Sequence, residues 1–118
     1  MYIEPGIYYA NENLTLPEAN VTLIGLGKVI IDFAIQEADN SNGLTYTFYN
    51  LEFRKKYTNY VFSDGEIRYW NVLNCNNCIF KEEISVTEIN ADRCEFYKNI
   101  LCPYAGTNEN IVKDSVFY

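Results

Sequence analysis

The chain has 118 residues and a formal net charge of −7, with 16 Asp and Glu against 9 Lys and Arg. A surface that follows a nucleic-acid backbone needs a basic stripe, so this charge argues against nucleic acid as a partner. His is absent, which excludes Ser-His and Cys-His nucleophile pairs and His-based metal sites. We see no membrane span and no signal peptide, and we expect no cofactor.

The composition favours β-strands. Eleven Tyr and seven Phe accompany many Val, Ile and Thr residues, and no long stretch has helical period. No linker or low-complexity tract divides the chain, so we predict one domain over residues 1–118. Pro5 and Gly6 mark a turn near the start, and we assign about residues 1–12 to an N-terminal cap.

A four-residue cassette then recurs along the chain. Each copy has a turn residue, an apolar or small residue, a variable residue and a large apolar residue. A repeat of this kind indicates a solenoid, whose turns bury their apolar faces only by stacking on each other. The cassettes are Asn20–Leu23, Asn50–Phe53, Asn77–Phe80, Arg93–Phe96 and Asp114–Phe117.

The cassette predicts two buried columns, because side chains alternate between the faces of a strand. The second positions form one column and the fourth positions the other, and the first position needs the left-handed conformation of a sharp corner. We place side loops at 36–43 and 55–60, where the copies are far apart. An antiparallel sandwich remains an alternative. The predicted core residues are Leu51, Cys78 and Cys94 in one column, and Phe53, Phe80, Phe96 and Phe117 in the other, with Leu23 beneath them.

Three segments near the start carry a family resemblance: Glu4-Pro5-Gly6-Ile7-Tyr8, residues 13–17 (NLTLP) and residues 20–32 (NVTLIGLGKVIID). They resemble the first coils of right-handed parallel β-helix proteins of the pectin-lyase-like superfamily, and Asn50 and Asn77 look like the asparagine ladder of that family. The resemblance covers essentially the whole chain. It implies an all-β, right-handed parallel β-helix of about five to six short coils, a fold found in phage tailspikes, surface adhesins and polysaccharide-degrading enzymes.

The catalytic residues of the enzymatic members do not map onto this chain. Polygalacturonase-like members use adjacent aspartates and a His, and the chain has neither. Pectate-lyase-like members use an Arg beside calcium, but Arg54 and Arg93 lie in or beside cassettes, where they are best interpreted as solvated. The carboxylates that remain as candidates for acid and base chemistry are Asp32, Glu82 and Glu83. We therefore assign no catalytic residue and lean against an enzyme.

Four cysteines have no assigned chemistry: Cys75, Cys78, Cys94 and Cys102. The Cys75-x-x-Cys78 pair is compatible with zinc, but the second pair is widely spaced. Cys78 and Cys94 fall at inward cassette positions, where small thiols pack well. We interpret them as reduced core thiols and predict no metal site, with a disulfide or zinc as alternatives.

Tyr69 and Trp70 are the candidate ligand-binding residues, because flat amphipathic rings suit sugar rings and protein partners. Core or interface filling is the other interpretation. We expect a non-catalytic structural or adhesive module of a cell surface, virion or fibrous assembly, and as the alternative a carbohydrate-active β-helix that binds or cleaves polysaccharide. We also expect the C-terminal edge near Phe117 to be covered by a second copy, a larger assembly or further sequence.

Overall fold

A computed structural model describes residues 1–39, 42–101 and 111–118 of the chain. These residues form fifteen β-strands and no helix, and every pair of neighbouring strands is parallel. The strands belong to a ten-stranded sheet and a five-stranded sheet. The protein is therefore all-β, with parallel strands in curled sheets, and the arrangement is compatible with a β-solenoid.

The strands repeat in rungs, a rung being one passage of the chain along the first, second and third faces of the fold. The long strands β4 and β6 each cover the first two faces, and the five-stranded sheet is the third face. The six rungs are β1 (Tyr2–Ile3), β2 (Gly6–Tyr9) and β3 (Leu14–Thr15); β4 (Val21–Asp32) and β5 (Ile35–Gln36); β6 (Thr45–Phe53) and β7 (Tyr57–Thr58); β8 (Val72–Asn76), β9 (Ile79–Phe80) and β10 (Ile84–Ser85); β11 (Glu88–Asp92), β12 (Glu95–Phe96) and β13 (Ile100–Leu101); and β14 (Ile111–Lys113) and β15 (Val116–Phe117).

Four of the five cassettes turn the corner between the first and second faces as predicted. Asn50, Asn77, Arg93 and Asp114 have backbone φ angles of 59°, 55°, 55° and 47°. This left-handed conformation costs ordinary residues energy, and Asn and Asp adopt it most readily. The Asn77 side-chain amide also donates a hydrogen bond of 2.9 Å to Asn50 Oδ1. The cassette therefore encodes a corner and a strand.

The prediction for the first cassette is wrong. Leu23 pairs with Phe48 on the first face and is only partly buried, whereas Ile31 occupies the position beneath Phe53. The reason is a register shift between Ile24 and Val29, which lets β4 pass the corner as one continuous strand. Gly25 permits this passage, because a Cβ atom there would collide with the carbonyl oxygen of Asn50.

The Phe column forms through the other four cassettes. The ring centroids are 5.0 Å apart for Phe53 and Phe80, 5.5 Å for Phe80 and Phe96, and 5.0 Å for Phe96 and Phe117, and the rings are nearly parallel. Phe53, Phe80 and Phe96 are fully buried, as are Leu51, Cys78 and Cys94 in the neighbouring column. Phe117 is 59% exposed, so its predicted burial is wrong, because no described strand covers it.

The loops lie between the third face of one rung and the first face of the next. The segment 55–60, predicted as a loop, contains β7, and the long loop occupies 59–71 instead. Two residues of the predicted 36–43 loop, Asn40 and Ser41, lie outside the described residues. Only Val86 and Thr87 connect the fourth rung to the fifth, which accounts for the short 16-residue interval between Phe80 and Phe96.

Candidate functional site

The outer side of the first face carries a polar groove of about 550 Å³. Thr22, Thr47, Asn74 and Asn90 occupy successive rungs of one outward column, and Tyr49, Asn76, Asp92 and Lys113 those of the next. Alternation along the strands places these side chains outward, while Tyr46, Phe48 and their equivalents enter the core. The alternation of side chains that forms the core therefore also places these polar side chains together on the outer surface.

Three of the eight polar side chains that line this groove are amides, those of Asn74, Asn76 and Asn90. Asn90 Nδ2 donates to Asn74 Oδ1 at 3.0 Å, and Arg93 donates to Asn76 Oδ1 at 2.9 Å. Each of these bonds uses one end of an amide that has both a donor and an acceptor. The tyrosine ring of Tyr49, which is 38% exposed, adds a flat apolar surface. Such an arrangement can bind an uncharged ligand rich in hydroxyl groups.

The predicted carboxylates do not form one site. Asp32 lies at the end of β4, 4.0 Å from both the Arg54 guanidinium and the Lys55 ammonium. Glu82 and Glu83 lie at the same corner in the fourth rung, where Glu83 follows Lys56 of the third rung in register. Lys55 and Lys56 of the third rung thus lie between Asp32 and the Glu82–Glu83 pair along this corner. Asp32 is engaged by basic side chains, whereas Glu82 and Glu83 line one cleft and Asp32 lines another.

The predicted ligand-binding aromatics lie in the 59–71 loop and are partly buried. The ring of Tyr69 packs against Tyr60 and Phe62 at centroid distances of 5.9 and 5.1 Å, and its hydroxyl donates to Asp39 at 2.7 Å. The backbone N–H of Trp70 donates to the Asn42 side chain at 2.7 Å. These contacts join the loop to the preceding one, and neither residue borders the polar groove.

Cys75, Cys78 and Cys94 are free, buried thiols that pack close together, and Cys102 lies outside the described residues. Hydrogen bonding with Cys94, together with burial, raises the pKa of Cys75 and of Cys78 well above the usual thiol value. These two residues therefore stay protonated and behave as small apolar core groups. Within the described part of the chain, no three His, Cys, Asp or Glu side chains are arranged to hold a metal ion.

A buried polar network is present that the sequence patterns did not indicate. Glu37 is 1% exposed and its carboxylate accepts hydrogen bonds from Tyr57, Asn59 and Asn71. Thr87 in the next rung exchanges two hydrogen bonds with the backbone of Asn71. The signal that could have found it is the pair of polar residues, Glu37 and Asn59, at the inward-facing positions directly after β5 and β7.

At the far end of the fold, the described residues leave the last rung uncovered. A cleft of about 920 Å³ reaches core side chains such as Ile89 and Phe96, with Glu82 and Glu83 at its rim. Val116, Phe117 and Tyr118 beside it are 48%, 59% and 68% exposed. This surface combines apolar side chains with the unpaired backbone edge of β15 in the structure as described.

Comparison with known proteins finds no matching family model, no similar curated protein and no similar solved structure. A search of the described residues for a helix that could cross a membrane also finds none.

Proposed function

We propose that this chain is a right-handed parallel β-helix that acts as a non-catalytic structural or adhesive module of a cell-surface, extracellular, virion or fibrous assembly. The observation that carries the proposal is the continuous parallel register from β4 to β15, with one aromatic column running through four rungs. Connections between parallel strands of one sheet are right-handed in about 98% of known cases. The resemblance of the first coils to the pectin-lyase-like superfamily supports the same assignment.

The ion pairs of Asp32 with Arg54 and Lys55 support a non-catalytic role. General acid and base catalysis on a glycosidic bond needs two carboxyl groups that face each other across the bond. Asp32 is instead engaged by Arg54 and Lys55, and Lys55 and Lys56 precede Glu82 and Glu83 in the order of the rungs.

We expect no release of reducing ends from a panel of neutral and acidic polysaccharides incubated with the chain. The reason is that Asp32 is engaged by Arg54 and Lys55 and lines a different cleft from Glu82 and Glu83. Reducing-sugar assay and mass spectrometry of the products provide the measurement. Release that disappears in Glu82→Gln or Asp32→Asn and persists in the exposed control Glu66→Gln would replace this proposal with an enzyme.

The second candidate is binding of a polysaccharide along the polar groove, which the amide side chains of the groove and the ring of Tyr49 favour. A neutral glycan fits better than an acidic one, since the groove has one acidic and one basic residue among its side chains. The same panel distinguishes the two candidates. Retardation of the wild-type chain in gels containing a neutral polysaccharide, lost in Asn90→Ala and kept in Thr58→Ala on the third face, would support glycan binding.

Assembly through the open C-terminal edge is part of the proposal. Exposed Phe117 and Tyr118 lie at an edge that no other described strand pairs, and such edges pair with other strands unless they are covered. We expect the chain to self-associate at micromolar concentration in light scattering coupled to size exclusion. Phe117→Asp should shift the population to monomer, and Tyr49→Asp on the first face should not. A wild-type chain that stays monomeric up to the highest soluble concentration would contradict self-association.

A further inference from the structure

Glu37 directly follows β5 at the start of the loop between β5 and β6, and its side chain is buried beside both ends of the 59–71 loop. Tyr57 donates to its Oε2 atom at 2.6 Å, while Asn59 and Asn71 donate to its Oε1 atom at 2.7 and 3.0 Å. Asn59 and Asn71 are the two ends of the 59–71 loop. A single carboxylate oxygen therefore joins both ends of this loop to the core.

Among the described residues, the side chains that hydrogen-bond this carboxylate are neutral. Tyr57 from β7 is the titratable one of these three, and burial together with the negative charge of Glu37 holds its pKa well above the ordinary value. Asn59, Asn71 and Thr87 do not titrate, and no ion pair with Glu37 is found among the described residues. An ionised carboxylate without a cation is costly to bury, even with three hydrogen bonds.

The Asn59 amide offers a partner for a proton on this carboxylate. Its Nδ2 atom donates to Glu37, whereas its Oδ1 atom is buried and has no hydrogen-bond partner among the described residues. An ionised carboxylate only accepts hydrogen bonds, but a protonated one also donates. Rotation of the amide by half a turn would exchange the two atoms and place Oδ1 beside Glu37 Oε1. The same side chain can thus serve either protonation state.

We propose that Glu37 and Asn59 form a buried proton-binding site in which uptake of one proton is coupled to rotation of the Asn59 amide. The proton comes from solvent and binds Oε1, an O–H to Oδ1 hydrogen bond replaces the N–H to Oε1 bond, and no covalent bond within the protein changes. Tyr57 keeps its bond to Oε2. This proton-binding site makes the anchoring of the 59–71 loop depend on pH. The loop carries the aromatic cluster of Tyr60, Phe62 and Tyr69.

The sign of the pH dependence follows from the burial of Glu37. Burial raises the pKa of Glu37 above its ordinary value of 4.5, against the opposing effect of its hydrogen bonds with Tyr57, Asn71 and Asn59. Between the unfolded and the folded pKa of Glu37, the folded state therefore still binds a proton that the unfolded state has lost. The contribution of Glu37 to stability is fully present at pH values below its pKa in the unfolded state. It is lost as the pH rises through its pKa in the folded state.

Urea unfolding between about pH 5 and about pH 8 tests the stability effect. We expect the wild-type midpoint to fall as pH rises, and we expect Glu37→Gln, which resembles the protonated form, to remove most of that slope. Glu52→Gln is the matched control, because Glu52 faces outward and bonds Arg54. An unchanged slope in a folded Glu37→Gln variant would overturn the proposal.

Nuclear magnetic resonance of the wild-type chain provides a test that does not depend on a variant folding. The Glu37 side-chain carboxyl carbon should titrate with a midpoint above 4.5, and the side-chain amide signals of Asn59 should shift with the same midpoint. The amide signals of Asn74, which lies in the outer groove, should not follow it. A Glu37 midpoint at or below its ordinary value, or Asn59 signals that do not respond, would overturn the proposed site.

Discussion

Replacing Phe80 by alanine should lower the free energy of unfolding by about 3 to 5 kcal/mol. Phe80 is 1% exposed and lies between the rings of Phe53 and Phe96, so its removal leaves a cavity in the centre of the column. The strands above and below are fixed in register by backbone hydrogen bonds, which prevents the cavity from collapsing. Equilibrium unfolding in urea measures the loss.

Phe117→Ala is the matched control for this prediction. Phe117 belongs to the same column and stacks on Phe96 at 5.0 Å, but it is 59% exposed. In the monomeric chain its replacement should cost less than about 1 kcal/mol, since a substitution at an exposed site leaves no buried cavity. Equal losses for the two variants would mean that Phe117 is covered in solution, which would in turn support assembly through the C-terminal edge.

Asn71→Ala should lower the free energy of unfolding by about 2 to 4 kcal/mol, because unpaired buried polar groups cost about 1 to 3 kcal/mol each. The Asn71 side chain accepts a hydrogen bond of 3.0 Å from the Leu44 backbone N–H and donates one of 3.0 Å to Glu37. Alanine leaves both partners without this contact. The unfolding free energy at neutral pH is the measured quantity.

Asn74→Ala provides the comparison for Asn71→Ala. Both residues lie in the fourth rung, but Asn74 faces the outer groove and bonds only Asn90 among the described residues. We expect a change within about 0.5 kcal/mol, as for most surface substitutions. If the two asparagines had equal effects, the Glu37 network would not be a principal source of stability in this part of the fold.

The cassette identified the core because two local properties repeat together. A turn residue that tolerates positive φ and an aromatic residue three positions later define both the corner and the buried column, as at Asn50 and Phe53 or Asn77 and Phe80. Arg93 adopts the same conformation although Arg is not a usual residue for it. Its place in the repeat was therefore a better guide than its own propensity.

The first cassette shows where the pattern fails. Asn20–Leu23 has the correct residue types, yet Ile31 and not Leu23 lies beneath Phe53. The register there depends on Gly25, whose missing side chain allows the strand to pass the carbonyl oxygen of Asn50. That contact joins residues 25 positions apart, so a local motif carries no information about it.

The sequence by itself determined the strand-rich class, the corners at positive φ and the Phe column, because each follows from side-chain type at short spacing. The tertiary structure alone decided the register of β4, the exposure of Phe117 and the burial of Glu37. In each case the outcome depends on which rung lies above or below, and residues in adjacent rungs are brought together only by folding. The Glu37 network is the clearest example, because its carboxylate meets Tyr57, Asn59 and Asn71, which lie 20, 22 and 34 positions further along the chain.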